Sequence, residues 1–175
     1  MTKSEYKSKP FQNIYKRREM TSIRLFNCAD FFKYNFVELS DQPRSLGCTS
    51  LNIYLEWLAK FPEYSFVAES PNGDVMGFIM GIEVEDDYAF KYSNVCLLVC
   101  SSVHRRIGIG TQLLKSFENV SKQKKQCLVS LYVQVVNSAA IELYRKLGFE
   151  VINCVPDYYD EILEKEAYLM EKRLV

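Results

Sequence analysis

Residues 95–114 constrain this chain more than any other stretch. Val95-Cys-Leu-Leu-Val-Cys100 is an apolar run of strand length, followed at once by the basic Ser101-Ser-Val-His-Arg-Arg106. Ile107-Gly-Ile-Gly110 then opens a segment with apolar residues at 109, 113, 114, 117 and 120, the period of an amphipathic helix. A strand that feeds through a basic loop into a helix N-terminus is a place for an anion, because about four N–H groups there lack partners and carry a partial positive charge. Gly108 and Gly110 let backbone amides approach phosphate oxygens, and Arg105 and Arg106 add charge at the same place. Glycines alone would mark no more than a turn. Their coincidence with two arginines and a helix onset points to a phosphate ligand. The loop is not a Walker loop, since no Gly-Lys-Ser/Thr occurs, and it lacks the Gly-x-Gly-x-x-Gly that follows the first strand of a dinucleotide fold.

Composition narrows the remaining choices. The 175 residues are 48% hydrophobic, enough for the core of one domain. Lys plus Arg and Asp plus Glu both number 22, so the basic excess of a DNA- or membrane-binding chain is missing. The single histidine, His104, argues against a His-rich metal site, and no metal is expected. Six cysteines form no Cys-x-x-Cys pair, and four lie in apolar runs. They are expected to be reduced, buried thiols of a cytoplasmic protein. The first 19 residues hold no apolar block of signal-peptide kind, and no run approaches the ~20 apolar residues of a membrane helix.

Charge divides the chain in two. Residues 1–19 carry a net +4 and read as a basic, flexible extension; residues 20–175 read as one domain. Within it the patterns predict a strand at 22–26, a helix at about 31–39 capped by Asp30, and a helix at 51–60. Strands at 65–69 and 75–83 are joined by Pro71-Asn-Gly-Asp74, a hairpin signal. A strand at 92–101 buried on both faces, a helix at 108–122, a strand at 127–135 and a helix at 138–147 ended by Gly148 follow, with closing strands at 149–154 and 166–173. This order predicts an α+β, α/β-like fold: a mixed sheet with helices on its faces.

The pattern Arg105-x-x-Gly108-x-Gly110 resembles the acetyl-CoA pyrophosphate loop of the GCN5-related N-acetyltransferase (GNAT) superfamily. Asn137, Ala140, Tyr144 and Leu147-Gly148-Phe149 resemble that superfamily's second conserved segment, in its order and spacing. Met20-Thr-Ser-Ile-Arg-Leu-Phe, Tyr54-Leu-Glu-Trp-Leu-Ala-Lys-Phe-Pro-Glu-Tyr64, Val75-Met-Gly-Phe-Ile-Met-Gly81 and Tyr158-Tyr159 look like the catalytic subunits of NatB-type protein N-terminal acetyltransferases.

The resemblance implies a GNAT fold with a splayed strand pair. It implies transfer of acetyl from acetyl-CoA, the co-substrate, to the α-amino group of nascent polypeptides beginning Met-Asp, Met-Glu, Met-Asn or Met-Gln. Leu98, Cys100, Arg105, Arg106, Ile107, Gly108, Ile109, Gly110, Thr111, Asn137 and Tyr144 would bind the coenzyme. Tyr144 would protonate the departing thiolate, and Tyr159 would assist catalysis, ordering a water through which a weak base acts. Leu46, Gly47, Asn94, Cys96, Tyr158 and Tyr159 would line the acceptor site. Asn94 and Cys96 stand where relatives of this type carry His and Thr. A helical-repeat auxiliary subunit, docked on the side of the aromatic helix at 31–39 and Trp57, would deliver the chain to the ribosome. Two alternatives stay open: a GNAT enzyme for another N-terminal, lysine or small-amine acceptor, and a CoA-binding pseudoenzyme.

Overall fold

The computed structural model describes residues 21–33, 51–159 and 165–174. Among the described residues seven strands form one sheet: β1 (Ser22–Leu25), β2 (Phe66–Glu69), β3 (Val75–Glu85), β4 (Lys91–Cys100), β5 (Leu128–Gln134), β6 (Glu150–Val155) and β7 (Ala167–Arg173). Their spatial order is β1-β2-β3-β4-β5-β7-β6. Only β4 and β5 run parallel; every other pair is antiparallel. Four helices complete the described fold: α1 (Asp30–Lys33), α2 (Leu51–Lys60), α3 (Ile109–Gln123) and α4 (Ser138–Lys146), with 3₁₀ turns at Pro62–Tyr64 and Ser102–His104. The expected element order is realised, most ends shifting by one or two residues.

Helices cover both faces of the sheet. The helical stripe of α3 puts Leu113, Leu114 and Phe117 against Ile79, Val129, Leu131 and Met170, all fully buried. On the opposite face Phe31 of α1 and Leu58 of α2 join Phe26, Val67, Phe78, Met80 and Val99. Each such large apolar side chain contributes about 1.5–3 kcal/mol on burial. The β2–β3 turn forms as its sequence predicts. Gly73 takes φ +85°, and Ser70 Oγ accepts the Asn72 and Asp74 N–H groups.

Two irregularities of β4 shape everything that follows. Met80 pairs with Leu97 but Gly81 pairs with Val95, so Cys96 is an extra residue, a β-bulge. A Cβ at Gly81 would collide with the Asn94 carbonyl and the Phe117 ring, so the strand opposite the bulge needs glycine. Pairing with β5 covers only Ser93–Val95 against Val129–Leu131. Beyond Val95 the two strands part, and the β4 edge from Cys96 to Cys100 has no strand partner on that side among the described residues.

Three expectations need correction. β4 is not buried on both faces: Ser93, Val95 and Val99 are buried, while Asn94, Cys96, Leu98 and Cys100 are half-buried, because the fork opens beside them. The described cysteines are not buried either: Cys28, Cys127 and Cys154 are exposed, and Cys96 and Cys100 are half-buried. Asp30 is the first residue of α1 rather than its cap. Its fully buried carboxylate accepts the Asn27 N–H (3.0 Å) and a two-pronged bond from Arg24 (2.7 Å each), which also grips Glu69 (2.8 and 3.0 Å). The rest of the predicted 31–39 helix, the extension 1–19, Leu46, Gly47 and Cys48 lie outside the described residues.

Candidate active site at the fork of the sheet

A cleft of about 630 Å³ opens where β4 parts from β5. Its floor is Leu98, Val99 and Cys100 of β4; one wall is the loop from His104 into α3, and the other is α4. Within the loop, Arg106 and Gly108 both take left-handed backbone conformations, φ +66° and +91°. Gly108 is the N-cap of α3, a conformation any side chain would strain. Such strain is commonest at functional sites. Gly110 answers a different need: a Cβ there would stand 3.0 Å from Leu143 Cδ2 and 3.6 Å from Cys100 Sγ, so its bareness lets α3, α4 and β4 meet.

Of the residues the sequence assigns to the coenzyme, Leu98, Cys100, Arg105, Arg106, Gly108, Ile109, Gly110, Thr111, Asn137 and Tyr144 line this one cleft. Ile107 does not; it packs against the hydrophobic core instead. Asn137 is the N-cap of α4, its side-chain oxygen accepting the Ala140 N–H at 3.2 Å. Sequence reasoning placed His104 in the phosphate loop and Ala140 in the second motif without making them site residues, and it missed Val99, Ala139, Glu142, Leu143 and Lys146. Residues 139, 142, 143 and 146 stand at helical spacing, so the period of α4 held the signal. Lys146 and Glu142 form a 2.6 Å pair on the rim, and that pair holds the Glu142 carboxyl below its usual range.

Tyr144 sits at the deep end and is 7% exposed. Burial, then its neighbours Tyr159 and Cys100, raise its phenol well above the ordinary value, so it keeps its proton at any physiological pH. Burial likewise pushes the Cys100 thiol up to about 11, against the pull of Arg105 and the Gly110 N–H, so at neutral pH it stays a thiol.

Asn94 and Cys96 do not line this cleft. They sit at the crotch of the fork, where Asn94 Nδ2 donates to Ser130 Oγ at 2.8 Å. Tyr158 stacks on Tyr132 (centroids 4.2 Å apart) and meets Tyr159 edge-on at 5.0 Å. Tyr159 is buried, its phenol pushed up to about 12 chiefly by desolvation. Tyr159 thus stands between the Tyr158 side of the fork and Tyr144. The described residues hold no cluster of His, Cys, Asp or Glu suited to a metal. The arrangement sets a basic loop at a helix N-terminus, a strand edge beyond the last rung shared with β5 among the described residues, and a buried protonated phenol along one groove.

The profile of the Acetyltransferase (GNAT) family matches residues 25–149. The N-terminal acetyltransferase B complex catalytic subunit NAA20 of Arabidopsis thaliana is 33% identical over 156 residues, covering 89% of this chain and 86% of that protein. N-alpha-acetyltransferase 20 of Dictyostelium discoideum is 32% identical, covering 89% and 87%. Among solved structures, Chaetomium thermophilum Naa20 in complex with a bisubstrate analogue matches with TM-score 0.76 at 26% identity, over 87% of this chain and 86% of that one. The NatC complex bound to Gag peptide and CoA gives TM-score 0.77 at 21% identity, which speaks for the shared fold alone.

Proposed function

Since the chain belongs to the acetyltransferase (GNAT) family, we propose that it is the catalytic subunit of a NatB-type complex, acetylating the α-amino group of nascent proteins that begin Met-Asp, Met-Glu, Met-Asn or Met-Gln. The observation that carries this reading is the likeness to the NatB catalytic subunit NAA20 of Arabidopsis thaliana, which covers 89% of the chain. Fold similarity by itself carries less, because the NatC match is as good in shape.

The residues of the fork fit acetyl-CoA as co-substrate. Arg105, Arg106 and the amides that open α3 meet its phosphates. The β4 edge beyond Val95, where pairing with β5 ends among the described residues, takes the pantetheine arm as a short extra strand. Acetyl-CoA supplies an activated thioester. The acceptor's α-amine titrates near 7.7–8.0, so a fraction of about a tenth to a fifth is neutral at pH 7. A weak base acting through water is sufficient; Tyr159, with Tyr158 beside it, holds the peptide backbone and orders that water. As the amine nitrogen bonds to the carbonyl carbon, the C–S bond breaks, and Tyr144 donates its phenolic proton to the departing sulfur.

The partner is a helical-repeat auxiliary subunit and, through it, the ribosome; the reaction belongs to the cytoplasm. Phe32, next to Phe31 on α1, is 90% exposed, apolar surface that such a subunit would cover. The test is release of CoA by the full chain, alone and with its auxiliary subunit, on peptides beginning Met-Asp, Met-Glu, Met-Asn, Met-Leu and Ser-Glu and on an N-acetylated lysine peptide. Turnover confined to the first three supports the proposal. Turnover on Met-Leu, Ser-Glu or lysine moves the acceptor class, and none with the partner present makes the chain a CoA-binding pseudoenzyme.

A further inference from the structure

Helix α3 and strand β7 are joined by an ion pair that the reaction above leaves without a task. Lys172 Nζ donates to Glu118 Oε2 at 2.7 Å, and the two side chains are only 23% and 10% exposed. Glu118 Oε1 is buried without a hydrogen-bond partner among the described residues. A pair this enclosed adds little net stability, since removing both charges from water offsets their attraction, and a well-packed apolar pair would hold α3 on the sheet as well. What a charge pair adds is direction: it fixes the path of the long Lys172 side chain.

That path crosses the turn that ends α4. The Tyr144 carbonyl accepts the Leu147 and Phe149 N–H groups, both at 3.0 Å, and Gly148 between them takes φ +88°. The Lys172 stem runs along the bare side of Gly148, where a Cβ would lie 3.7 Å from Cε and 4.0 Å from Cδ. Its ammonium stands 5.9 Å from the centre of the Phe149 ring, within reach of a cation–π contact. Phe149, 2% exposed, packs its ring on that of Tyr144, with centroids 5.8 Å apart and planes at 58°. Glu118, Lys172, Phe149 and Tyr144 are thus one contiguous line of contacts from α3 to the phenol. Resting on the acid role given to Tyr144 above, we propose that Lys172, anchored by Glu118, is a positioning residue: through the Gly148-Phe149 turn it holds the Tyr144 phenol where the departing sulfur meets it.

The test separates position from stability. Lys172→Met alone strands the Glu118 carboxylate, so the variant to read combines Glu118→Gln with Lys172→Met, which keeps both stems and leaves neither charge behind. Acetyl transfer to the peptides named above is followed by CoA release, in the full chain with its auxiliary subunit. The neutral pair is expected to lower kcat about tenfold and to leave acetyl-CoA affinity, read by calorimetry, within about twofold, because a displaced proton donor is felt in the transition state alone. Lys172→Arg, which keeps the cation, should retain most of the parental rate. In a Tyr144→Phe background the neutral pair should cost less than about twofold more, since a residue that acts through the phenol has nothing left to position. The same tenfold loss in both backgrounds, or loss of acetyl-CoA binding, makes the pair structural and overturns the proposal. A parental kcat in the neutral pair, with Tyr144→Phe slow, overturns it too and leaves the acid role standing. A parental kcat in Tyr144→Phe overturns the acid role and the proposal with it, and leaves acetyl transfer intact. No turnover by the parent on any acceptor overturns the function and the proposal together.

Discussion

Tyr144 shows how one side chain acquires a role from its surroundings. The same burial that raises its phenol also keeps a proton at the deep end of the cleft, where the proposed reaction would release a thiolate. Tyr144→Phe preserves the packing against Phe149 and removes only the donor. Its expected effect is a fall in kcat of about a hundredfold or more, with acetyl-CoA affinity nearly unchanged, measured by thiol release and calorimetry. Gly108 is the converse case, a residue whose backbone matters and whose side chain must be absent. Gly108→Ala forces a Cβ into φ +91° and should cost about 1–2 kcal/mol, read as weaker acetyl-CoA binding and a lower melting temperature. Both residues are legible in the amino-acid sequence, because Arg105-x-x-Gly108-x-Gly110 and Asn137 to Phe149 are local patterns whose chemistry follows from their order.

Elements hold less of their meaning in the sequence. The strands and helices of the described residues stand close to where periodicity puts them, since burial on one face is a local property of a chain. The β4 bulge is not legible: that Cys96 is surplus depends on which residue of β3 faces it, and the apolar run 95–100 reads alike with or without it. The rim of α4 is half legible, its helical face implied by Tyr144 but not drawn. The Arg24–Asp30–Glu69 cluster is hidden for another reason, as its members come from β1, α1 and the end of β2 and meet only on folding. Burial acts to raise the Asp30 carboxyl, but the Arg24 guanidinium and the Asn27 N–H outweigh it and hold it low; Arg24 draws Glu69 down to about 2. Asp30→Ala should therefore destabilise the chain by about 2–3 kcal/mol in urea unfolding at pH 7, with less loss at pH 2–3, where carboxylates of the parent begin to protonate.

At the scale of the molecule, alkaline pH has its own signature. Tyr64, Tyr144 and Tyr159 are buried phenols with raised values, Tyr64 and Tyr159 to about 12. An unfolded tyrosine titrates near 10, so above that pH the unfolded chain holds fewer protons than the folded one. The stability these groups lend is whole below pH 10 and drains away as pH climbs through 12, at up to about 1.4 kcal/mol per pH unit for each phenol. Denaturant midpoints measured from pH 8 to 11 should be flat and then fall. A last consequence lies in the three rungs, Ser93–Val95 against Val129–Leu131, that join β4 to β5. They are a narrow isthmus between a four-stranded half and the β5-β7-β6 half. Within the sheet the two halves are leaves on a short seam, with α3 packed across both, and a pantetheine lying along the β4 edge beyond Val95 would lengthen that seam. CoA should then act as masonry as well as reagent. Amide exchange in β5, β7 and β6 is expected to slow on CoA binding by more than exchange in β2 and β3, and melting temperature to climb with CoA concentration.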